Sequence, residues 1–202
     1  MIKLTMNKYL IQKFFDLKSI KFGDFKLKSG NNSPFYINLR NIISEPLVLK
    51  KLAQEVYEQK IKDLHLECIE KGETLSICGL PYAGIPLASY ISCLYNIPLL
   101  ILRKEKKDYG TKQMIEGITP KTHRIILIDD IITTGLSIKE SLIYFNNFEI
   151  EKIVVIIDRE QEKIIDLEYD KLFNITEIFH FLKLGQHISK KDFEDCINFL
   201  NK

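Results

Sequence analysis

Residues 124–137 read Arg-Ile-Ile-Leu-Ile-Asp-Asp-Ile-Ile-Thr-Thr-Gly-Leu-Ser. An apolar run, two acidic residues and a turn with hydroxyl groups follow one another in this stretch. Residues 125–128 are an unbroken aliphatic run, which is typical of a strand buried on both faces of a parallel sheet. Asp129 and Asp130 follow, and we expect them at the carboxyl end of that strand. Ligands of open α/β sheets bind beyond the carboxyl ends of the strands, so the acidic pair is a candidate binding site.

A turn rich in hydroxyl groups follows the acidic pair. Thr133, Thr134 and Gly135 come first, and Ser137 with Glu140 then fits a capping box, which predicts a helix beginning close to Ser137. Unsatisfied N–H groups at a helix start favour phosphate, and Gly135 would let the backbone approach a ligand without a Cβ in the way. Carboxylates repel phosphate and suit sugar hydroxyls or metal-bound water instead. We therefore interpret the stretch as a site for a phosphorylated sugar, although an Asp-Asp pair alone is typical of a solvated loop.

Composition and charge restrict the class of protein. The 202 residues are 46% hydrophobic and 28% charged, which suits one compact domain with a sizeable core. The net charge of +2 does not indicate a nucleic-acid or membrane partner. The sequence has no apolar run of membrane-spanning length, no secretory signal and no Cys-x-x-Cys pair. We expect a cytoplasmic protein.

The rest of the chain predicts a parallel sheet with an appended N-terminal segment. From residue 74 strands and helices alternate, which favours a mainly parallel sheet with right-handed crossovers. We predict strands at residues 75–78, 99–102, 125–128, 153–157 and 175–182, and a last helix from Ser189 to about Leu200. A helix at residues 7–17 and short strands at 22–30 and 35–40 precede them. We expect a single domain over residues 1–202, with a small hood at about 1–40 and a core at about 41–202.

Two further loops carry candidate chemistry. Residues 103–117 form a long basic connection with glycine at positions 110 and 117. Charge runs are usually solvated faces, but long loops in compact domains are often lids that close over a substrate. Residues 79–84 form a glycine-containing loop after a strand, which could hold pyrophosphate or could be a plain turn.

The stretch at 124–137 resembles the 5-phosphoribosyl-1-pyrophosphate (PRPP) signature of the type I phosphoribosyltransferases. Other segments resemble the orotate branch of that family in particular: 25–30 with 33–36, 79–82, 103–110 and 158–161. The resemblance covers nearly the whole chain. It implies an α/β fold with a mainly parallel twisted sheet flanked by helices and a small N-terminal hood. It also implies transfer of the 5-phosphoribosyl group from PRPP to orotate, giving orotidine 5′-monophosphate and pyrophosphate in pyrimidine synthesis.

Carried over position by position, the resemblance implies four groups of substrate contacts. The orotate ring and its carboxylate would be contacted by Lys28, Tyr36, Ile37 and Arg159. The pyrophosphate would be contacted by Tyr82, Ala83, Arg103, Lys104, Lys107 and Tyr109. Asp129 and Asp130 would hold the ribose hydroxyls, and the 5-phosphate would lie against Ile131, Ile132, Thr133, Thr134, Gly135, Leu136 and Ser137. The catalytic roles would fall on Lys107, Asp129 and Asp130.

The resemblance also implies a cofactor and partners. Mg²⁺ would bind mainly through PRPP and water near Asp129 and Asp130, with no direct protein ligand, as is usual for this ion. A homodimer would share the lid between subunits, and a separate orotidine monophosphate decarboxylase could associate with it. We expect neither a nucleic-acid nor a membrane partner.

Two positions depart from many bacterial members of the family. Ala83 stands where they have lysine, so one pyrophosphate contact should be lost, and Tyr109 stands where they have histidine. Both residues resemble the transferase half of the bifunctional eukaryotic enzyme. A chain of 202 residues leaves no room for the decarboxylase half of that enzyme.

Two alternatives remain open. One is a purine phosphoribosyltransferase, in which removal of Lys28 or Arg159 would leave base specificity unaffected. The other is a PRPP-binding regulator that binds nucleic acid. The acidic pair, the basic lid and the lack of a helix-turn-helix or a strong basic excess argue against the regulator.

Overall fold

A computed structural model describes residues 2–27, 30–105, 113–118, 123–163 and 168–201. In chain order its elements are α1 (Ile2–Asp16), β1 (Ile20–Lys26), β2 (Asn32–Ile37), α2 (Pro46–Val56), α3 (Lys62–Lys71), β3 (Thr74–Gly79), α4 (Gly84–Tyr95), β4 (Leu99–Leu102), β5 (Ile115–Glu116), β6 (His123–Ile132), α5 (Leu136–Leu142), β7 (Glu149–Asp158), β8 (Asp170–Asn174), α6 (Ile175–Leu184) and α7 (Lys190–Leu200). Short 3₁₀ helices lie at Leu39–Ser44 and Ile143–Phe145, and a π-helical turn at Tyr57–Ile61 joins α2 to α3. The chain divides into two compact units, residues 52–172 and residues 1–51 with 173–202.

The larger unit is built on a sheet whose strand order is β5-β4-β3-β6-β7-β8. β3 runs parallel to β4 and β6, and β6 runs parallel to β7, whereas the short β5 is antiparallel to β4. All four aliphatic residues at 125–128 of β6 are fully buried. The predicted α/β fold with a mainly parallel sheet is therefore confirmed.

Arg124 ties several elements of this unit together at the start of β6. Its Nε lies 2.8 Å from Glu151 Oε1, and its Nη1 lies 3.1 Å from both Glu67 Oε1 and Glu73 Oε2. The hydrogen bond with Glu151 raises the pKa of Arg124 and lowers the pKa of Glu151. One guanidinium thus links β6 to α3, to β7 and to the turn before β3, at the end of the sheet where β6 begins.

The smaller unit contains the antiparallel pair β1–β2, in which Phe22 faces Phe35. The Phe35 ring is fully buried, and its centroid lies 4.9 Å from that of Phe179 and 5.7 Å from that of Phe199. Because successive side chains of a strand alternate between its two faces, Tyr36 lies on the opposite face from Phe35. Tyr36 is 42% exposed and packs against Phe25 at a ring distance of 5.6 Å.

The structure corrects the prediction for the stretch around the acidic pair. Asp129 and Asp130 lie within β6 rather than after it, because pairing with β7 continues to Ile132. The capping box at Ser137 is wrong as well: α5 begins at Leu136, after Gly135 with a left-handed φ of 84°, and no side chain caps it. A glycine adopts this backbone conformation readily, so the turn needs no hydroxyl cap at that position.

Two predicted strands are also corrected. Residues 175–182 form most of α6, because Ile175, Ile178 and Leu182 are buried at helical spacing and the Asn174 N–H donates to the Glu177 carboxylate at 3.2 Å. The strand predicted at 35–40 ends at Ile37, where Asn38 accepts a hydrogen bond from the N–H of Arg40 at 3.2 Å and starts a 3₁₀ helix. The last helix is confirmed: Ser189 Oγ accepts from the N–H of Asp192 at 3.0 Å. The proposed division into hood and core stays a prediction.

No helix within the described ranges has the length and apolar character that a membrane crossing requires.

Candidate active site

The carboxyl ends of four parallel strands bring most of the predicted residues to one edge of the sheet. The loop at residues 80–83 follows β3, Arg103 and Lys104 follow β4, the stretch at 129–137 ends β6, and Arg159 follows β7. This is the edge at which open α/β sheets bind their ligands. The structure thus brings these four segments of the larger unit to one edge of its sheet.

The two aspartates of β6 differ in their surroundings. Asp129 is 8% exposed, and its Oδ1 accepts a hydrogen bond of 2.8 Å from the backbone N–H of Asp130. Asp130 is half-buried. A charge at Asp129 acts in a partly desolvated setting, where electrostatic interactions are stronger than in water.

The loop after β3 lies directly against the strand that carries the acidic pair. The N–H of Leu80 donates to the carbonyl of Ile128 at 2.8 Å, and the peptide bond between Pro81 and Tyr82 is cis. Gly84 is packed so closely that a Cβ there would overlap the carbonyl oxygen of Ile128, and a Cβ on Gly79 would lie 2.5 Å from the carbonyl oxygen of Gly84. Two glycines thus permit the loop to approach Asp129.

Replacing Gly84 by alanine should therefore separate the loop from β6. The added Cβ meets backbone, which cannot rotate away, so we expect the free energy of unfolding to fall by about 1–3 kcal/mol, the usual cost of overpacking. Under the activity that the resemblance implies, the KM for PRPP should also rise. Chemical denaturation and steady-state kinetics measure the two effects.

Gly185→Ala is the matched control for this prediction. Its Cβ would meet the side chain of His187, which can move, so stability and KM should change little. If both variants behaved like the wild type, the close packing at Gly84 would have no functional consequence.

The base of the basic loop contains an ion pair. Arg103 Nη1 lies 2.8 Å from Glu116 Oε1, and the Arg103 N–H donates to the carbonyl of Met114 at 2.8 Å. Lys104 Nζ lies 5.3 Å from the centre of the Tyr82 ring, which is 57% exposed. Two of the segments that were predicted to contact pyrophosphate therefore lie next to each other: the loop after β3, and Arg103 with Lys104, which we call the lid base.

The turn that follows the acidic pair is partly accessible. Ile132 and Gly135 are buried, whereas Leu136 and Ser137 are exposed. Ile131, Thr133 and Thr134 are half-buried. The exposed start of α5 leaves room for a polar group beside this turn.

Arg159 is held at the end of β6 by its backbone, because its N–H donates to the carbonyl of Ile132 at 3.0 Å. Burial lowers the pKa of Arg159, since it disfavours the charged guanidinium. An anionic ligand would offset that cost. Arg159 therefore fits the predicted contact with a carboxylate.

Asp158, which precedes Arg159, lies at the same edge, and no role of its own was predicted for it from the sequence. It is 3% exposed and accepts hydrogen bonds from four groups. The donors are the Glu160 N–H at 2.8 Å, Lys163 Nζ at 2.8 Å, Tyr169 Oη at 2.6 Å and Lys171 Nζ at 3.2 Å. Burial acts to raise the pKa of Asp158, but the bonds from Lys163, Tyr169 and Glu160 outweigh it, so the pKa lies below its usual value. The sequence offered two signals: Asp158 ends an apolar strand, and it belongs to the segment 158–161 that resembles the orotate branch.

The remaining predicted residues lie either in the smaller unit or outside the described part of the chain. Tyr36 and Ile37 lie on β2 in the smaller unit, where Ile37 is half-buried opposite Ile20. Lys28, Lys107 and Tyr109 lie outside the described residues. Their roles stay predictions.

Comparison with known proteins agrees with this geometry. Residues 49–184 match the phosphoribosyl transferase domain family. The chain is 31% identical over 197 residues to orotate phosphoribosyltransferase of Pyrobaculum islandicum, covering 95% of this chain and 97% of that protein. It is 37% identical over 155 residues to bovine uridine 5′-monophosphate synthase, covering 75% of this chain and 31% of that protein.

Solved structures give the same result. The structure of Leishmania donovani UMP synthase matches with a TM-score of 0.79 at 28% identity, covering 96% of this chain and 42% of that one. The chain therefore spans less than half of the two synthases that it matches. By its domain match and its full-length similarity to the archaeal enzyme, this chain belongs to the orotate phosphoribosyltransferase family of phosphoribosyltransferases.

Proposed function

We propose that this chain transfers the 5-phosphoribosyl group from PRPP to orotate, giving orotidine 5′-monophosphate and pyrophosphate in the synthesis of UMP. The observation that carries the proposal is the convergence of the acidic pair, the loop after β3, the lid base and Arg159 at one sheet edge.

In the reaction the bond between the anomeric carbon and the pyrophosphate oxygen breaks, a bond from that carbon to a ring nitrogen of orotate forms, and the proton of that ring N–H passes to water or to the leaving pyrophosphate. Positive charge develops on the sugar and negative charge on the leaving group. Asp129 and Asp130 would hold the ribose hydroxyls and stabilise the positive charge that develops on the sugar. The low exposure of Asp129 supports this role.

The leaving pyrophosphate needs donors and positive charge. Backbone N–H groups of the loop at Tyr82 and Ala83, together with Arg103 and Lys104, would supply them at the described edge. Ala83 contributes no charge of its own. Arg103 would exchange its ion pair with Glu116, which is partly exposed and therefore weak, for the stronger charge of pyrophosphate.

Lys107 and Tyr109 would contribute to the same group from the basic lid. Closure of a lid also keeps water from the activated sugar. Lys107 would then act as the main cation on the leaving group.

The 5-phosphate would lie in the turn at residues 131–137. Thr133, Thr134 and Ser137 offer hydroxyl donors, and Gly135 allows the backbone to curve with a positive φ. Leu136 is exposed at this turn.

Arg159 would pair with the carboxylate of orotate, and Lys28, Tyr36 and Ile37 would each contact orotate as well. Orotate is an anion at neutral pH through its carboxylate, which is the group that Arg159 would match.

Mg²⁺ fits the donor chemistry of this edge, since Asp129 and Asp130 offer hard carboxylate oxygens. No grouping of three or more His, Cys, Asp or Glu residues that could bind a metal occurs in the described part of the chain. The ion would be held mainly by the phosphate oxygens of PRPP and by water near the two aspartates, as is usual for Mg²⁺. When bound, it would neutralise charge on the leaving pyrophosphate.

We further propose a cytoplasmic homodimer that shares its lid between subunits, with neither a nucleic-acid nor a membrane partner. A separate orotidine monophosphate decarboxylase is a candidate partner. Size-exclusion chromatography with light scattering tests the dimer directly.

The deciding experiment follows the ultraviolet absorbance of orotate with purified protein, PRPP and Mg²⁺. We expect orotate to be consumed only when both PRPP and Mg²⁺ are present, and chelation should stop the reaction reversibly. If PRPP binds and orotate stays unchanged, the fold assignment holds but the orotate assignment does not. Adenine and hypoxanthine in place of orotate then test the purine alternative.

A further inference from the structure

The carboxylate of Asp158 organises the loop that carries Arg159. Lys163 precedes and Tyr169 follows residues 164–167, and both bind the same carboxylate, at 2.8 Å and 2.6 Å. Lys171 reaches it from β8 at 3.2 Å. A single buried side chain at the end of β7 thus connects the two sides of this loop to the sheet.

Arg159 lies between two hydrogen bonds that restrain its backbone. Its own N–H donates to the Ile132 carbonyl at 3.0 Å, and the next N–H, that of Glu160, donates to Asp158 Oδ1 at 2.8 Å. The second bond closes a turn between an aspartate side chain and the N–H two residues later, with Arg159 at its centre. Glu160 has a φ of 53°, an unusual value for a residue other than glycine, which such a bond helps to maintain.

The charge of Asp158 is already matched by other groups. A carboxylate offers about four acceptor positions. The Glu160 N–H, Lys163, Tyr169 and Lys171 supply four donors, two of them cationic. Asp158 can therefore sit next to Arg159 without depending on its guanidinium for neutralisation.

We propose that Asp158 is a positioning residue for orotate: its buried hydrogen-bond network places Arg159 at the edge where the base binds. This inference rests on the proposed function, in which Arg159 pairs with the carboxylate of orotate. According to this inference, Asp158 affects the binding of orotate and not the binding of PRPP. Tyr169 is the closest of its hydrogen-bond donors.

Asp158→Asn should therefore raise the KM for orotate by about 10-fold or more, because small displacements of a binding group have large kinetic costs. The KM for PRPP should change by less than about 2-fold, as expected when only one substrate loses binding. Tyr169→Phe removes a single hydrogen bond and should raise the orotate KM by about 3-fold. Steady-state kinetics with each substrate varied in turn gives both values.

Asp170→Asn is the matched control, since it makes the same substitution at a partly exposed ion pair with Lys152 on β7. Its two KM values should equal those of the wild type. If Asp158→Asn does not fold, Tyr169→Phe decides the question alone.

The outcomes separate the two proposals. A wild-type protein that consumes no orotate would reject the proposed function itself. Wild-type turnover with unchanged orotate KM in the folded variants would overturn only the role of Asp158. Equal increases in both KM values, together with a lower melting temperature, would also overturn it, because they would indicate a purely structural role.

Discussion

Asp129→Asn should lower kcat by about 100-fold or more, which is the range seen when one group that stabilises the transition state is removed. Asparagine has nearly the same shape as aspartate and keeps an oxygen that can accept the 2.8 Å hydrogen bond from the Asp130 N–H. The substitution therefore removes mainly the negative charge. Because Asp129 is only 8% exposed, solvent screens that charge weakly, and its loss should be felt at the sugar.

Asp63→Asn provides the matched control, because Asp63 is exposed in the first turn of α3, a helix that contributes no predicted site residue. The orotate absorbance assay measures kcat for both variants, and circular dichroism confirms that both are folded. A folded Asp129→Asn protein with kcat close to that of the wild type would exclude a role for this charge in the reaction.

Arg124→Met should lower the free energy of unfolding by about 1–2 kcal/mol, more than an exposed ion pair contributes, because one half-buried guanidinium joins three carboxylates. The variant leaves Glu67, Glu73 and Glu151 near one another without the guanidinium that joins them. The Arg124 side chain is only 15% exposed, whereas its partners are more exposed, which limits the effect. Denaturant unfolding at neutral pH measures the change.

The dependence on pH gives this prediction a second test. The pKa of Glu151 is lowered in the folded protein, chiefly by its hydrogen bond with Arg124. The ionised Glu151 therefore contributes to the free energy of unfolding above its unfolded pKa of about 4.3. This contribution is lost as the pH falls through the lower pKa of the folded state. The difference in the free energy of unfolding between Arg124→Met and the wild type should therefore become smaller at acidic pH.

Lys62→Met is the control for Arg124, since it removes a cation from an exposed pair with Glu58 on neighbouring helical turns. Its effect should be much smaller. Equal destabilisation by the two substitutions would show that the Arg124 network adds nothing beyond a surface ion pair.

Where the sequence has a strong local pattern, that pattern was sufficient to predict the secondary-structure element. The aliphatic run at 125–128 was predicted as a doubly buried strand, and Ser189 with Asp192 predicted the start of α7. These features depend on neighbouring residues, and a sequence displays those directly. The pattern failed at 175–182, where a short apolar segment fits a strand and a helix about equally well and packing decides between them.

The alternation of strands and helices along the sequence was enough to predict the mainly parallel α/β sheet, and the motif at 124–137 was enough to indicate the family, because both are local patterns. The strand order came from the structure. Only the tertiary structure decided that β6 runs past Asp130, that Gly84 lies against Ile128, and that Lys163 and Tyr169 meet at Asp158. Each of these depends on contacts between residues distant in the chain or on backbone pairing with a neighbouring strand. Such contacts arise from how the elements pack, and residue spacing along one segment does not encode them.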